Sequence, residues 1–325
     1  MQFSPASLEA EQLNTKTLEL LYYGTLFVVS LTVLLKASDW FIDSAERIGL
    51  SMGISPFIIG VTIVAFGTSL PELAASIVAV LKDESELVVS NVVGSNITNI
   101  ALVLGLTAIV VKQIELDYNI WHIDMPYLWG SAFMLYFVLQ DQHVSTAEAI
   151  MFLIGIVIFL VYSMGANEAS TDDRPSITWR HFALLVIGGA LVAAGAEWTI
   201  RGIKGLSAIA GIDSEIIGLS AVAIGTSLPE VIVSLNAARK GKASIAIGNV
   251  LGSNIFNTYV VMSIPAFIGN LEIPDKVTSY FLPLMVAMTL MFGIISNNKK
   301  ITRWEGAVLL MFYGLFFIEL ISSAL

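Results

Sequence analysis

Cysteine is absent from the 325 residues, so the chain can form no disulfide, no thiolate metal site and no thiol nucleophile. Charge is nearly as scarce. Asp, Glu, Lys and Arg make up only 13% of the chain while 56% is hydrophobic, against about 25% charge in soluble domains, and the mean hydropathy is +0.81. That balance excludes an ordinary soluble fold. The three histidines, His122, His143 and His181, fall at or near predicted loops, which argues against a buried histidine metal site or proton relay. Bases are outnumbered by acids, the net charge is −10, and no nucleic-acid partner is implied. The first eighteen residues hold Glu9, Glu11 and a single base, Lys16, so they lack the basic start of a signal peptide and are expected to stay as a short tail.

What is present is a series of apolar runs, each long enough or nearly long enough to cross a hydrocarbon layer of about 30 Å. Charged or Pro/Gly/Asn-containing breaks divide them into ten expected spans, near 18–40, 55–81, 87–111, 125–140, 146–163, 180–200, 214–238, 244–268, 278–296 and 304–323. The polar stretch 165–178 separates five from five. The expected organisation is therefore an N-terminal five-helix unit (1–164), a linker (165–178) and a C-terminal five-helix unit (179–325), in an all-α integral membrane protein.

The two units share sequence. AFGTSLPE ending at Glu72 returns as AIGTSLPE ending at Glu230, an offset of 158, and NVVGSNITN (Asn91 to Asn99) returns as NVLGSNIFN (Asn249 to Asn257) at the same offset. Over 60–105, twenty of forty-six positions match, and upstream Trp40 aligns with Trp198 and Asp39 with Glu197. Five spans is an odd number, so the second copy must enter the membrane inverted relative to the first. With the termini outside, eleven of the sixteen bases fall on the inner side, including Lys112, Arg239, Lys240, Lys242, Lys299 and Lys300, and five outside, which satisfies the positive-inside rule.

Glu72 and Glu230 lie inside apolar runs with no lysine or arginine nearby to pair with, and an ionised carboxylate there costs at least a few kcal/mol unless it is compensated. A bound cation is the natural counter-charge. Pro71 and Pro229 break each helix, so that carbonyls around Ala65 and Ala223 are expected to become available as ligands. Thr68, Glu72 and Ser76 share one helix face, as do Thr226, Glu230 and Ser234, and Ser95/Asn99 and Ser253/Asn257 follow at i, i+4. Carboxylates, hydroxyls, amides and carbonyls are hard oxygen ligands, suited to Ca²⁺ or Na⁺ and poor for Zn²⁺ or Cu²⁺.

Structural alternatives exist for several of these residues. Ser69 to Glu72 also fits a capping box, Ser as N-cap and Glu at N3, but recurrence at Ser227 to Glu230 within a duplicated pair of spans is more than a cap needs. Gly94 and Gly252 are read as contacts for close helix packing, and Asn91 and Asn249 as either ligands or supports of the broken backbone. Asp172 and Asp173 are read as a solvated loop.

The paired GTSLPE and NV(V/L)GSN motifs resemble the two alpha-repeats of the sodium/calcium exchanger family within the cation/calcium antiporter superfamily, and the resemblance covers both halves. It implies a ten-helix fold in which helices two, three, seven and eight surround the ions while helices one and six slide. By motif position it implies ligands at Ala65, Thr68, Ser69, Glu72, Ser95 and Asn99, and at Ala223, Thr226, Ser227, Glu230, Ser253 and Asn257. Asn257 stands where many prokaryotic and potassium-dependent relatives carry Asp, which argues against potassium co-transport; animal sodium/calcium exchangers carry Asn there, as here. Calcium/proton exchangers usually show GN…E in place of GTSLPE.

The expectation is a secondary antiporter of the cell membrane, exchanging Na⁺ for Ca²⁺ by alternating access, functional as a monomer, with the two ions as substrates and no cofactor. An H⁺-coupled or other divalent-cation antiporter is the alternative. A channel usually arranges its ligands around a pore axis, often by oligomerisation, whereas here one chain supplies a two-fold set. An enzyme is disfavoured because no histidine or lysine accompanies Ser69 or Ser227 to activate it.

Overall fold

The computed structural model describes residues 5–116, 119–165, 174–210 and 225–322. It is helical almost throughout. Ten membrane helices follow in chain order: α1 (Pro5–Ser51), α2 (Pro56–Leu81), α3 (Glu86–Val111), α4 (Asp124–Val138), α5 (Thr146–Gly165), α6 (Trp179–Ile209), α7 (Leu228–Arg239), α8 (Ala243–Ile268), α9 (Val277–Ser296) and α10 (Arg303–Ser322). Eight of them are long and apolar enough to span a bilayer. The exceptions are α4, at 15 residues, and α7, whose expected upstream part within 214–224 lies outside the described residues. The loop acids Asp172 and Asp173 lie outside them as well.

Burial separates the helices into a centre and a periphery. In the most apolar stretches of α3 and α8, 78% of residues are buried, against 11% in α1 and 28% in α6. The outer pair, α1 and α6, runs antiparallel along a glycine seam: a Cβ added at Gly188, Gly195 or Gly202 would come within about 3.0 Å of Phe41, Leu34 or Phe27 backbone atoms. Repetition every seven residues keeps these glycines on one face, so two backbones approach as small-residue interfaces do in membranes. One hydrogen bond, Thr199 Oγ1 to Ser30 Oγ at 3.0 Å, crosses the seam.

In the centre, α8 crosses α2 at similarly close range. A Cβ at Gly248 would meet the Phe57 carbonyl at 2.4 Å, and one at Gly252 would meet the Val61 carbonyl at 2.2 Å and the Ala65 Cβ at 2.7 Å. Gly252 therefore plays the packing role read from its motif. Gly94, its counterpart, has only Phe316 Cζ, at 4.0 Å, among the described residues. Its symmetry-related neighbours would be residues 219 and 223, outside the described set.

The two membrane faces are built differently. On one, β1 (Gln113–Glu115) pairs antiparallel with β2 (Lys300–Thr302), and the turn after α7 brings Lys240 and Lys242 to acids of α1. Lys240 Nζ lies 2.8 Å from Asp39 and 3.0 Å from Asp43, and Lys242 Nζ lies 2.5 Å from Asp43 and 2.8 Å from Glu46. Asn236 Nδ2 adds bonds to Ser38 Oγ (2.6 Å) and Asp39 Oδ1 (2.9 Å). Burial opposes the charge on Lys242, but hydrogen bonds to Asp43 and Glu46 outweigh it and hold the ammonium above the ordinary lysine value. On the other face the turn after α2 carries Lys82 and Glu84, both exposed, and Lys276 pairs with Glu319.

Candidate functional site

The site forms where α2, α3, α7 and α8 interrupt their own helical hydrogen bonding. In α2 a π-helical turn (Gly60–Val64) precedes a short α turn (Ala65–Thr68); the chain then leaves the helix at Ser69, with φ −90° and ψ 4°, and restarts at Leu70. Pro71 has no N–H to give, so the carbonyl it strands is that of Gly67, four residues back. The Ala65 carbonyl keeps its donor, the Ser69 amide at 3.0 Å, and also faces the Thr68 hydroxyl at 3.3 Å. The expectation that the break frees this carbonyl is thereby corrected. Ala223, the matching position, lies outside the described residues.

Ser227 likewise precedes the restart of α7 at Leu228, with φ −84° and ψ 3°. Neither serine caps its helix with its side chain, which removes the capping-box alternative. Ser69 Oγ instead reaches across to the other repeat and donates to Glu230 Oε1 at 3.1 Å. Position Ser76 and Ser234, one turn beyond the glutamates, are also buried.

Helices α3 and α8 change character at the same motif position. Each leaves α geometry for a π turn, at Asn99–Leu104 and Asn257–Val261, and such widened turns are frequent at functional positions. Asn99 and Asn257 open these turns and are fully buried.

Between the four helices, two cross-repeat clusters mirror each other. Thr68 Oγ1 donates to Asn249 Oδ1 at 3.0 Å and lies 3.4 Å from Ser253 Oγ, while Asn249 Nδ2 donates to Ser234 Oγ at 2.9 Å. Thr226 Oγ1 donates to Asn91 Oδ1 at 3.3 Å and lies 3.4 Å from Ser95 Oγ, while Asn91 Nδ2 donates to Ser76 Oγ at 3.1 Å and to the Glu72 carbonyl at 3.2 Å. Asn91 and Asn249 thus act as supports, each tying a threonine of one repeat to a serine of the other. Sequence reasoning overlooked Asn96, which accepts from Asn257 Nδ2 and donates to Thr258 Oγ1, both at 3.2 Å. Its signal was available in the duplicated Asn96/Asn254 pair.

Several of the buried polar atoms left without a hydrogen-bond partner gather at the motifs, others such as Thr107 Oγ1 and Tyr313 Oη lying elsewhere. Glu72 Oε1 and Oε2, Glu230 Oε2, Ser227 Oγ, both side-chain atoms of Asn99 and Asn257 Oδ1 are buried and have no hydrogen-bond partner. Buried polar atoms are nearly always paired, so such a concentration calls for a ligand. The two carboxylates are close enough to repel each other, and no lysine or arginine pairs with either among the described residues. No third acid or histidine joins them there to make a conventional metal cluster. The arrangement can compensate a cation through two carboxylates and neutral oxygens.

A cavity leads to the site from one face. A cavity of about 350 Å³ is lined at its inner end by Ser76, Asn91, Ser95 and Thr226 and at the surface by Glu197 and Lys204. It opens on the face of the α2–α3 turn. On the opposite face, the close packing of α8 on α2 and the ion pairs of α1 with the α7–α8 turn fill the corresponding space among the described residues.

Comparison with known proteins agrees with this architecture. The family model described as sodium/calcium exchanger protein matches twice, over residues 22–165 and 180–321. A sodium/calcium exchanger of Methanosarcina acetivorans, MaX1, is 31% identical over 91% of this chain and 97% of its own length. The inner membrane protein YrbG of Escherichia coli is 31% identical over 89% of this chain and 93% of its own. Among solved structures, the sodium-calcium exchanger NCX_Mj soaked with zero Na⁺ and Ca²⁺ superposes with a TM-score of 0.81 at 31% identity, covering 93% of this chain and 99% of that one. The fold is thus an all-α integral membrane protein of two inverted five-helix repeats, and the chain belongs to the sodium/calcium exchanger family.

Proposed function

We propose that the protein is a secondary antiporter that exchanges Na⁺ for Ca²⁺ across the cell membrane by alternating access. The observation that carries this reading is the concentration of unpartnered buried oxygens, from both repeats, around Glu72 and Glu230. Two carboxylates carry the charge that one Ca²⁺ neutralises. Thr68, Ser69, Ser95 and Asn99 of the first repeat, with Thr226, Ser227, Ser253 and Asn257 of the second, supply the neutral ligands in this reading; the Ala65 carbonyl, already bonded to the Ser69 amide, would join them only on giving up a donor, and Ala223 is its counterpart in the second repeat. Ser69 already touches Glu230, so the same oxygens must choose between partners as ions enter, and competition of Na⁺ and Ca²⁺ for them produces exchange.

The functional unit in this reading is a monomer, because one chain supplies the whole site, and the halves 1–164 and 179–325 meet through the 165–178 linker. The termini lie outside. The grouping of Lys112, Lys240, Lys242, Lys299 and Lys300 at the β1–β2 and α7–α8 connections supports that orientation, since such bases favour the cytoplasmic side. The cavity then faces outward. The test is Ca²⁺ uptake into proteoliposomes: it should require an outward Na⁺ gradient, and equal uptake with choline, K⁺ or a pH gradient in place of Na⁺ would overturn the assignment.

A further inference from the structure

The turns after α2 and α7 are the same structure built twice. Lys82, Asp83 and Glu84 align with Lys240, Gly241 and Lys242 at the offset of 158, and Asp83 and Gly241 share a left-handed backbone, with φ of +60° and +77°. The closing hydrogen bonds also match: Lys82 N to Val78 O and Glu84 N to Ala79 O in one, Lys240 N to Asn236 O and Lys242 N to Ala237 O in the other. Backbone equivalence therefore places Lys82 and Glu84 where Lys240 and Lys242 stand in the second repeat.

Their partners map in the same way. Asp39, Asp43 and Glu46 of α1 align with Glu197, Arg201 and Lys204 of α6. Applying the offset to the four ion pairs seen on the closed face gives Lys82 with Glu197, Glu84 with Arg201 and Glu84 with Lys204 as opposite charges, and Lys82 with Arg201 as like charges. Three of four pairs stay complementary although the signs have been exchanged at three of the five positions. A solvated surface without a partner has no reason to change turn and helix together.

None of these pairs is formed in the present structure. Glu197 is held within its own helix by Arg201 at 2.7 Å, with side chains 58% and 64% exposed. Lys82 has no ion-pair partner among the described residues, and the cavity leading to the site runs between the two groups, with Glu197 and Lys204 on its wall.

We infer that Lys82 and Glu84 capture Glu197, Arg201 and Lys204 when the passage closes, forming a second ion-pair latch that mirrors the one now joining α1 to the α7–α8 turn. The two latches are then mutually exclusive: one is made while the cavity is open to one face and the other while it is open to the opposite face. Glu197 has two duties in this scheme, a negative charge on the wall of the open passage and a latch residue when it shuts. The inference rests on the antiporter reading, because it needs a protein that inverts its access.

The chain has no cysteine, so paired substitutions report without background. Lys82→Cys with Glu197→Cys should be joined by a short bifunctional thiol reagent in proteoliposomes under exchange conditions, and joining should stop Ca²⁺ uptake until it is reversed by reduction. Asp39→Cys with Lys240→Cys should be joined equally well, with the same loss. Charge reversal gives an independent check: Glu84→Lys should slow uptake roughly threefold or more, and adding Arg201→Glu and Lys204→Glu should restore most of it, with Ca²⁺ binding unchanged throughout. A parent that exchanges, a 39/240 pair that is joined and an 82/197 pair that is not would overturn the second latch. So would a triple variant that folds and binds Ca²⁺ but stays as slow as Glu84→Lys. Lack of Na⁺-driven uptake by the parent would instead overturn the antiporter reading beneath it.

Discussion

The same motif stands in two surroundings in this molecule. In the second repeat, Glu230 accepts a hydrogen bond from Ser69, and Gly252 lets α8 lie against the α2 backbone. In the first, neither oxygen of Glu72 has a hydrogen-bond partner, and Gly94 lines the cavity. Identical residues thus stand in unlike surroundings. The comparison teaches that a duplicated motif fixes which groups are offered, while the neighbours on each side decide how they are engaged.

The largest expected effect lies where the halves agree. Glu72→Gln and Glu230→Gln each remove one of the two charges at nearly constant volume, so both should abolish Na⁺-driven Ca²⁺ uptake while the protein still folds. The parent should gain about 2.7 kcal/mol of stability from Ca²⁺ at a hundred times its dissociation constant, read as a shift in Tm, and the variants should gain almost none. Normal flux in either one at matched reconstitution would take that glutamate out of the site.

The next effect lies in the packing of α8 on α2. A methyl at Gly252 would sit 2.2 Å from the Val61 carbonyl, so Gly252→Ala should destabilise the detergent-solubilised protein by roughly 3 kcal/mol. An unchanged Tm would mean that the two backbones do not approach so closely in the folded protein.

Ser69→Ala removes the hydroxyl that donates to Glu230, a hydrogen bond worth about 1 kcal/mol, and should lower the ion-free Tm accordingly. Ser227→Ala removes no hydrogen bond and should leave the ion-free Tm where it is, while both variants weaken Ca²⁺ binding. Identical thermal shifts in ion-free detergent would argue against the distinction.

The smallest effect concerns the closed face. The hydrogen bonds of Lys242 to Asp43 and Glu46 raise it above its ordinary value of 10.5, so its stabilising contribution is fully present below that pH and is lost only as pH rises through the raised value. Lys242→Met should therefore cost less than about 1 kcal/mol, by an amount constant from neutral to mildly alkaline pH, with the difference from the parent closing only above the lysine range. A difference that vanished near neutrality would place its origin in some other group.

Much of this was legible beforehand because it rests on counting. Ten apolar runs, an offset of 158 and an odd number of spans in each copy lead to two inverted repeats without any knowledge of contacts. Glu72 and Glu230 stood out because a membrane leaves a charge nowhere to hide. The break at Ser69 and Ser227 followed from Pro71 and Pro229, and so did the loss of a donor to Gly67, four residues before Pro71; what the sequence did not show is that the Ala65 carbonyl keeps the Ser69 amide. Asn96 was missed because its partners, Asn257 and Thr258, lie some 160 residues away in the other repeat.

The sequence by itself determined the membrane class, the duplication and the chemistry of the site, because hydropathy, repeat offset and residue type are properties of the chain alone. Tertiary structure decided the rest: which hydroxyl meets which carboxylate, whether Asn91 and Asn249 are supports, the π turns at Asn99 and Asn257, and which face is closed. Those depend on how closely α2 and α8 approach and on which of two nearly equivalent packings is adopted, and a sequence that encodes both cannot say which one is occupied.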